Sequence, residues 1–121
     1  MIPLAGATAI DLPMGSWSKM LVTRGSVADN ATSLGFSTFV VGSRTDLLAH
    51  VVEELAFVVS GEGELRLQDE RSAPFKAGDA LFIPPRLWHA VVNTGAVDMT
   101  MVFTFAHPTY PPTERRTSSA T

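Results

Sequence analysis

The sequence predicts an all-β domain, a sandwich or small barrel, on three observations. Short runs rich in β-branched and aromatic residues recur along the chain; clusters of Gly, Pro, Asp and Asn punctuate them; and no segment sustains a helical period. The first expected strands, 19–23 and 36–41, flank a connecting loop at 25–33. Strands at 47–51 and 54–60 follow, parted by Val51-Val52-Glu53. Gly61-Glu62-Gly63 turns the chain into 64–68, Gln68-Asp69-Glu70 into 71–75, and Ala77-Gly78-Asp79 into 80–83. These residues tolerate the special backbone angles of turns. Strand 89–93 follows the stiff Pro84-Pro85 approach, and Asn93-Thr94-Gly95 leads to the last strand, 99–105. There Met99, Met101, Phe103 and Phe105 share one face, with His107 in phase behind them, while Thr100, Val102 and Thr104 share the other. The Met and Phe face is expected to point inward.

At 121 residues the chain supports one domain with one core. Residues 1–35 read as an N-terminal arm with the first strands, 36–107 as the barrel core, and 108–121 as a tail, its 113–121 segment exposed and mobile. Nine Lys and Arg against twelve Asp and Glu give a formal charge of −3, and the arginines are scattered, so no nucleic-acid partner is expected. With no cysteine there is neither a disulfide framework nor a thiolate ligand, and a metal would need nitrogen and oxygen ligands. No run reaches membrane-spanning length, and the N-terminus lacks a basic leader and carries Asp11 and Pro13, so a cytoplasmic protein is expected. No serine nucleophile elbow, phosphate-cradling glycine loop or dinucleotide fingerprint is present.

Two blocks carry the chemistry. The first is Gly42, five residues, Leu48-Ala49-His50, three residues, Glu54, six residues, Gly61. The second is Gly78, five residues, Pro84-Pro85-Arg86, two residues, His89, three residues, Asn93. Together they resemble the two signature motifs of the cupin superfamily, with Leu48 where the family usually has its first histidine and Arg86 where it usually has a glycine. The resemblance implies a small single-domain antiparallel barrel of jelly-roll type, a double-stranded β-helix, often dimerising through its sheets. It also implies one divalent metal ion held by His50, Glu54 and His89. On a straight strand His50 and Glu54 would lie about 13 Å apart, so the chain must bend or reverse across Val51-Val52-Glu53 for both to reach one ion. Asn93 would hold the turn behind His89.

Two imidazoles and one carboxylate with open positions are the arrangement favoured by non-heme Fe(II) oxygenases, and the same set also holds Zn, Mn, Ni or Co. Leu48 removes one of the family's usual ligands, which leaves open looser metal binding, a bidentate substrate approach, or a barrel without metal. Phe57, Met101 and Phe103, with Leu48, are the expected substrate-contacting apolar residues. Arg44 reads either as a solvent-facing loop residue or as an anchor for a carboxylate or enolate oxygen at the cavity mouth. His107 reads as a loop residue near the barrel mouth, with a general acid/base role or a fourth ligand as the alternative. Arg86, replacing a turn glycine, must avoid positive φ or accept strain.

The expected function is a metal-dependent enzyme acting on a small, largely apolar or aromatic organic molecule, with an Fe(II) dioxygenase first. A non-redox cyclase, isomerase or lyase using a Lewis-acid metal is the alternative, a chemistry that stand-alone cupins such as polyketide cyclases represent. A ligand-binding barrel without turnover and a filled structural barrel are the non-enzymatic readings. A homodimer is the expected assembly.

Overall fold

The computed structural model describes residues 1–117 and is built almost wholly of strands. In chain order they are β1 (Ala9–Asp11), β2 (Trp17–Val22), β3 (Ser33–Phe39), β4 (Leu47–His50), β5 (Glu54–Ser60), β6 (Glu62–Leu67), β7 (Ser72–Lys76), β8 (Ala80–Ile83), β9 (His89–Asn93), β10 (Met99–Phe105) and β11 (Thr113–Arg116). A 3-10 turn at Pro13–Gly15 is the helical element among the described residues. The strands form two antiparallel sheets, ordered β1-β2-β3-β10-β5-β8 and β11-β4-β9-β6-β7. From β3 onward the chain changes sheet at each connection except the β6–β7 hairpin, which is the winding of a jelly roll.

Alternation decides what lies between the sheets. Along β10, Met99, Met101, Phe103 and Phe105 are all buried, as their phase requires, and they pack with Phe39, Val58, Leu65, Phe75 and Ile83. Gly35 on β3 makes room for this layer: a Cβ there would lie 2.3 Å from the Phe103 ring and clash with it. Gly61, at φ +81°, makes the turn between β5 and β6, a conformation that side chains resist. Asn93 holds the opposite turn from within. Its side-chain NH2 donates to the carbonyls of Phe39 and Val97, both at 2.9 Å, and its oxygen accepts the Gly95 N–H at 2.9 Å.

Several boundaries differ from those the sequence suggests. The six-stranded sheet takes in β1 and β2 and begins β3 at Ser33, so the first strands of residues 1–35 pair into one of the two sheets. β6 begins at Glu62, and Gly63 sits within it because only a glycine fits against the Val92 carbonyl. The segment expected to be an exposed, mobile tail contains β11, whose register sets Thr113 opposite His50 and Arg116 opposite Leu47. Such an edge strand is held by backbone pairing, so its polar side chains carry little strand signal. Residues 118–121 of that expected tail lie outside the described residues.

Candidate metal centre

β4 runs in the five-stranded sheet and ends at His50; β5 opens at Glu54 in the other sheet. Residues 51–53 make the crossing. The Val51 N–H donates to the Pro112 carbonyl at 3.2 Å and the Ala106 N–H to the Glu53 carbonyl at 3.4 Å, tying both ends of it to the C-terminal part of the chain. The bend required by the ligand spacing is therefore present, and His50 Nε2 stands 3.3 Å from Glu54 Oε1.

His89 opens β9, with Leu48 of β4 on one side and Leu67 of β6 on the other. The loop before it is anchored at His50 itself, whose carbonyl accepts the Arg86 N–H at 2.6 Å. Arg86 accepts the strained option, with φ at +65°. His89 Nε2 arrives 3.8 Å from Glu54 Oε1, and one ligand atom from each of the three residues lies within 4.8 Å of the others. The two histidines are 4% and 3% exposed, so this polar cluster sits inside the apolar barrel.

The far side of each ring determines what the near side offers. His89 Nδ1 lies 2.9 Å from the Leu87 carbonyl, an acceptor only, so Nδ1 carries the hydrogen and Nε2 turns a lone pair toward Glu54. His50 Nδ1 lies 2.7 Å from the Thr113 hydroxyl, which itself donates to the Pro111 carbonyl at 2.9 Å. A hydroxyl has one hydrogen to give, so Thr113 accepts from His50, which places a hydrogen on Nδ1 and makes Nε2 the inward-facing nitrogen that can serve as a ligand. Burial, the largest influence, holds the His89 pKa below its usual 6.5, against the opposing pull of the Glu54 charge and the Leu87 carbonyl. Two imidazole nitrogens and a carboxylate thus converge on one point, a donor set that fits a divalent cation. Hydrogen-bonded Nδ1 atoms behind both rings are the outer support such ligands usually have.

A cavity of about 60 Å³ adjoins the trio. Leu48, Phe103, Phe105, Val91 and Tyr110 form much of its wall, with Ser18, Ser37 and Thr45 as polar points. The Tyr110 ring stands edge-on to His50, with centroids 5.8 Å apart, and to Phe105 at 5.3 Å. Burial, with the Glu54 charge, raises the Tyr110 pKa against the influence of a side-chain hydrogen bond to Thr113, so the phenol keeps its proton. A larger outer groove, about 240 Å³, shares Leu12, Thr45 and Leu48 with the cavity and carries Asp11, Asp46 and Arg115.

His50, Glu54 and His89 are brought together as the motif spacing implies, and Leu48 and Phe103 line the cavity. Other candidates lie elsewhere. Phe57 is half exposed on the outer face, because Glu54, Ala56 and Val58 take the inward phase of β5. Met101 is buried in the core away from the cavity wall. Arg44 pairs with Val92 in a lone β-bridge and leaves its neighbour Thr45 to line the cavity. His107 serves its own turn: its Nδ1 lies 3.0 Å from the Thr109 carbonyl and 3.2 Å from the Thr109 N–H, outside the ligand group and the cavity wall. Tyr110 and Thr113 were not legible as site residues, since both fall in the segment that reads as a tail. No helix of the described residues is long and apolar enough to cross a membrane.

Fold and site together define a small jelly-roll barrel able to bind a metal ion at a buried His-Glu-His cluster. A profile of the cupin domain matches residues 35–105, and the chain belongs to that family. An uncharacterized protein of Methanocaldococcus jannaschii is 34% identical over 71 residues, a match spanning 58% of this chain and 56% of that protein, about half its length. Among solved structures, the polyketide cyclase RemF from Streptomyces resistomycificus is similar at a TM-score of 0.80 and 20% identity, over 99% of this chain and 87% of that one. A cupin-like protein from Thermotoga maritima gives 0.79 at 23% identity, over 93% and 85% of the two chains. An oxalate oxidase in complex with the substrate analogue glycolate gives 0.76 at 21% identity, over 93% and 60%. At such identities the likeness is one of fold.

Two outcomes follow from this geometry. His89→Ala removes one of three ligands and abolishes metal retention, whereas Leu48→His adds a donor at the cavity wall and tightens it. Elemental analysis and titration of the purified proteins check both, and parent-like retention by His89→Ala would show that the trio is not the site. The metal-free protein should also lose stability in acid. Because the folded-state pKa of His89 is depressed below 6.5, the unfolded chain takes up its proton first, and stability falls as pH drops from about 6.5 to the folded value. Thermal unfolding from pH 8 to 5 should show this loss, reduced in His89→Gln.

Proposed function

We propose that this protein is a metal-dependent enzyme acting on a small organic substrate, with Fe(II) as the metal and dioxygen as co-substrate. The observation that carries this reading is the convergence of two imidazole nitrogens and one carboxylate in a buried, mostly apolar cavity. With three protein ligands and Leu48 in place of a fourth, the donor set leaves coordination positions for substrate and co-substrate. A bound Fe(II) would supply one-electron chemistry toward dioxygen. The chain's part is to hold the ion, exclude bulk water and orient the substrate. Leu48, Phe103, Phe105 and the Tyr110 ring offer contacts to its apolar portion.

The cavity volume limits the substrate. The cavity is narrow, about 60 Å³, so a small ligand suits it as it stands, whereas a larger aromatic substrate needs the wall to open. Tyr110, 38% exposed yet part of that wall, is the side chain placed to move, and the outer groove past Leu12 and Leu48 is the approach.

A second reading is a non-redox cyclisation, isomerisation or lyase step, the metal acting as a Lewis acid on a carbonyl. It is favoured by the likeness to the polyketide cyclase, which extends over 99% of this chain. Metal content and oxygen uptake separate the two. Near-stoichiometric iron in protein purified without chelator, lost in Glu54→Ala, together with substrate-dependent oxygen consumption, supports the oxygenase. Bound zinc, nickel or manganese with turnover under nitrogen supports the Lewis-acid enzyme. A parent protein that takes up no metal after reconstitution rules out both.

The working unit is proposed to be a homodimer formed through the outer face of the six-stranded sheet. Leu55, Phe57, Val59 and Phe82 are 47–59% exposed there. Register extends the apolar surface inward, from Ala80 through Phe57 and Val102 to Phe36. The solvent side of an antiparallel sheet is ordinarily polar. The stretch from Ala80 to Phe36 is uncharged, with Lys19 next in the row beyond Phe36, and a twofold axis supplies a matching apolar partner by setting the patch against itself. Light scattering should give twice the chain mass for the parent and the monomer mass for the double variant Phe57→Glu, Phe82→Glu. A monomeric parent at micromolar concentration would exclude the dimer.

A further inference from the structure

We propose that Thr113, on the C-terminal strand β11, is a positioning residue of the metal centre, which sets the orientation and tautomer of His50; this rests on the metal-binding reading of the trio. His50 Nε2 can serve as a ligand only if the hydrogen resides on Nδ1 and the ring keeps its Nε2 edge toward Glu54. Both conditions are met from one side, by the Thr113 hydroxyl at 2.7 Å from Nδ1. That hydroxyl is itself oriented, since its hydrogen is directed to the Pro111 carbonyl at 2.9 Å. The Phe105 and Tyr110 rings flank the imidazole edge-on, at 4.9 Å and 5.8 Å. They pack against the ring without distinguishing nitrogen from carbon at its edge.

The backbone makes this arrangement reproducible. β11 pairs with β4 in a register that sets Thr113 directly opposite His50, and the Pro112 carbonyl accepts the next N–H in the chain, that of Val51, at 3.2 Å. β11 is the edge of its sheet and has four residues, so β4 is its strand partner. Order in this short strand is therefore coupled to order in His50. His89 has a different support: its Nδ1 partner, the Leu87 carbonyl, belongs to the loop directly before it and does not depend on β11. Loss of Thr113 should thus affect one imidazole and spare the other.

Co(II) is a suitable probe, because its visible absorption reports ligand number and geometry independently of turnover. The comparison uses the full chain in four forms: parent, His89→Ala, Thr113→Val and Thr113→Ser. Valine keeps the size and branching of threonine but cannot accept from Nδ1; serine keeps the hydroxyl. Outer partners of metal-bound histidines typically contribute 10- to 100-fold in affinity. Thr113→Val should accordingly bind Co(II) about tenfold or more weakly than the parent, with an altered absorption band, while Thr113→Ser stays within about threefold with the parent spectrum. Circular dichroism of the metal-free proteins establishes that each is folded at the titration temperature. If Thr113→Val binds Co(II) with parent affinity and spectrum while His89→Ala does not bind, the positioning role is overturned and the metal site stands. Equal weakening by valine and serine likewise overturns it, assigning the effect to packing. A parent that does not bind Co(II), or binds it no better than His89→Ala, overturns the metal reading and this proposal together.

Discussion

The change of sheet between His50 and Glu54 is the constraint on which the site depends. Residues four apart in one extended strand would be about 13 Å apart, and no single ion could use both. Because the chain leaves the five-stranded sheet after His50 and enters the six-stranded sheet at Glu54, the two side chains meet at 3.3 Å. The third candidate ligand is then fastened to the first, since the loop leading to His89 is bonded through the Arg86 N–H to the His50 carbonyl. Positive φ at Arg86 is a local cost, offset by a loop that returns β9 beside β4.

Burial gives the cluster its chemical character. In water a carboxylate beside two imidazoles is unremarkable; within an apolar barrel it needs a compensating positive charge. The Nδ1 hydrogens of both rings are directed away from Glu54, to Thr113 and to Leu87, which leaves the Nε2 atoms facing the carboxylate. This arrangement suits a cation. The same barrel architecture in a polyketide cyclase and an oxalate oxidase shows how little the fold alone says about the reaction. Here the distinguishing features are local: an aliphatic Leu48 at the cavity wall, a small volume, and a tyrosine closing it.

Residues whose role follows from period and spacing were legible in the chain. Met99, Met101, Phe103 and Phe105 are buried because their alternation admits one inward face. Asn93 ties its turn, and the motif spacing marks the three ligands. Phe57 shows the limit of composition: it is as apolar as Phe103, yet it has the opposite phase to Glu54 and stands outside. His107 was in phase with the inward face of β10, but the strand ends at Phe105 and the chain turns, so its ring bonds within the following loop. Thr113 and Tyr110 carried no signal, because their contribution depends on where β11 pairs, and edge pairing is a matter of backbone hydrogen bonds more than of side-chain pattern.

The sequence by itself determined an all-β single domain, the inward face of its last long strand, nitrogen and oxygen ligation in the absence of cysteine, and which two histidines and which carboxylate stand at the motif positions. These depend on local periodicity and on residue chemistry, which hold wherever the chain lies in space. Tertiary structure decided that the candidate ligands meet, that their Nδ1 hydrogens are turned away from the shared point, how small the cavity is, and that a segment with the composition of a loose tail supports His50. Each of these is a relation between strands from different sheets or distant parts of the chain, set by pairing register and packing, and such relations exist only once the barrel has closed.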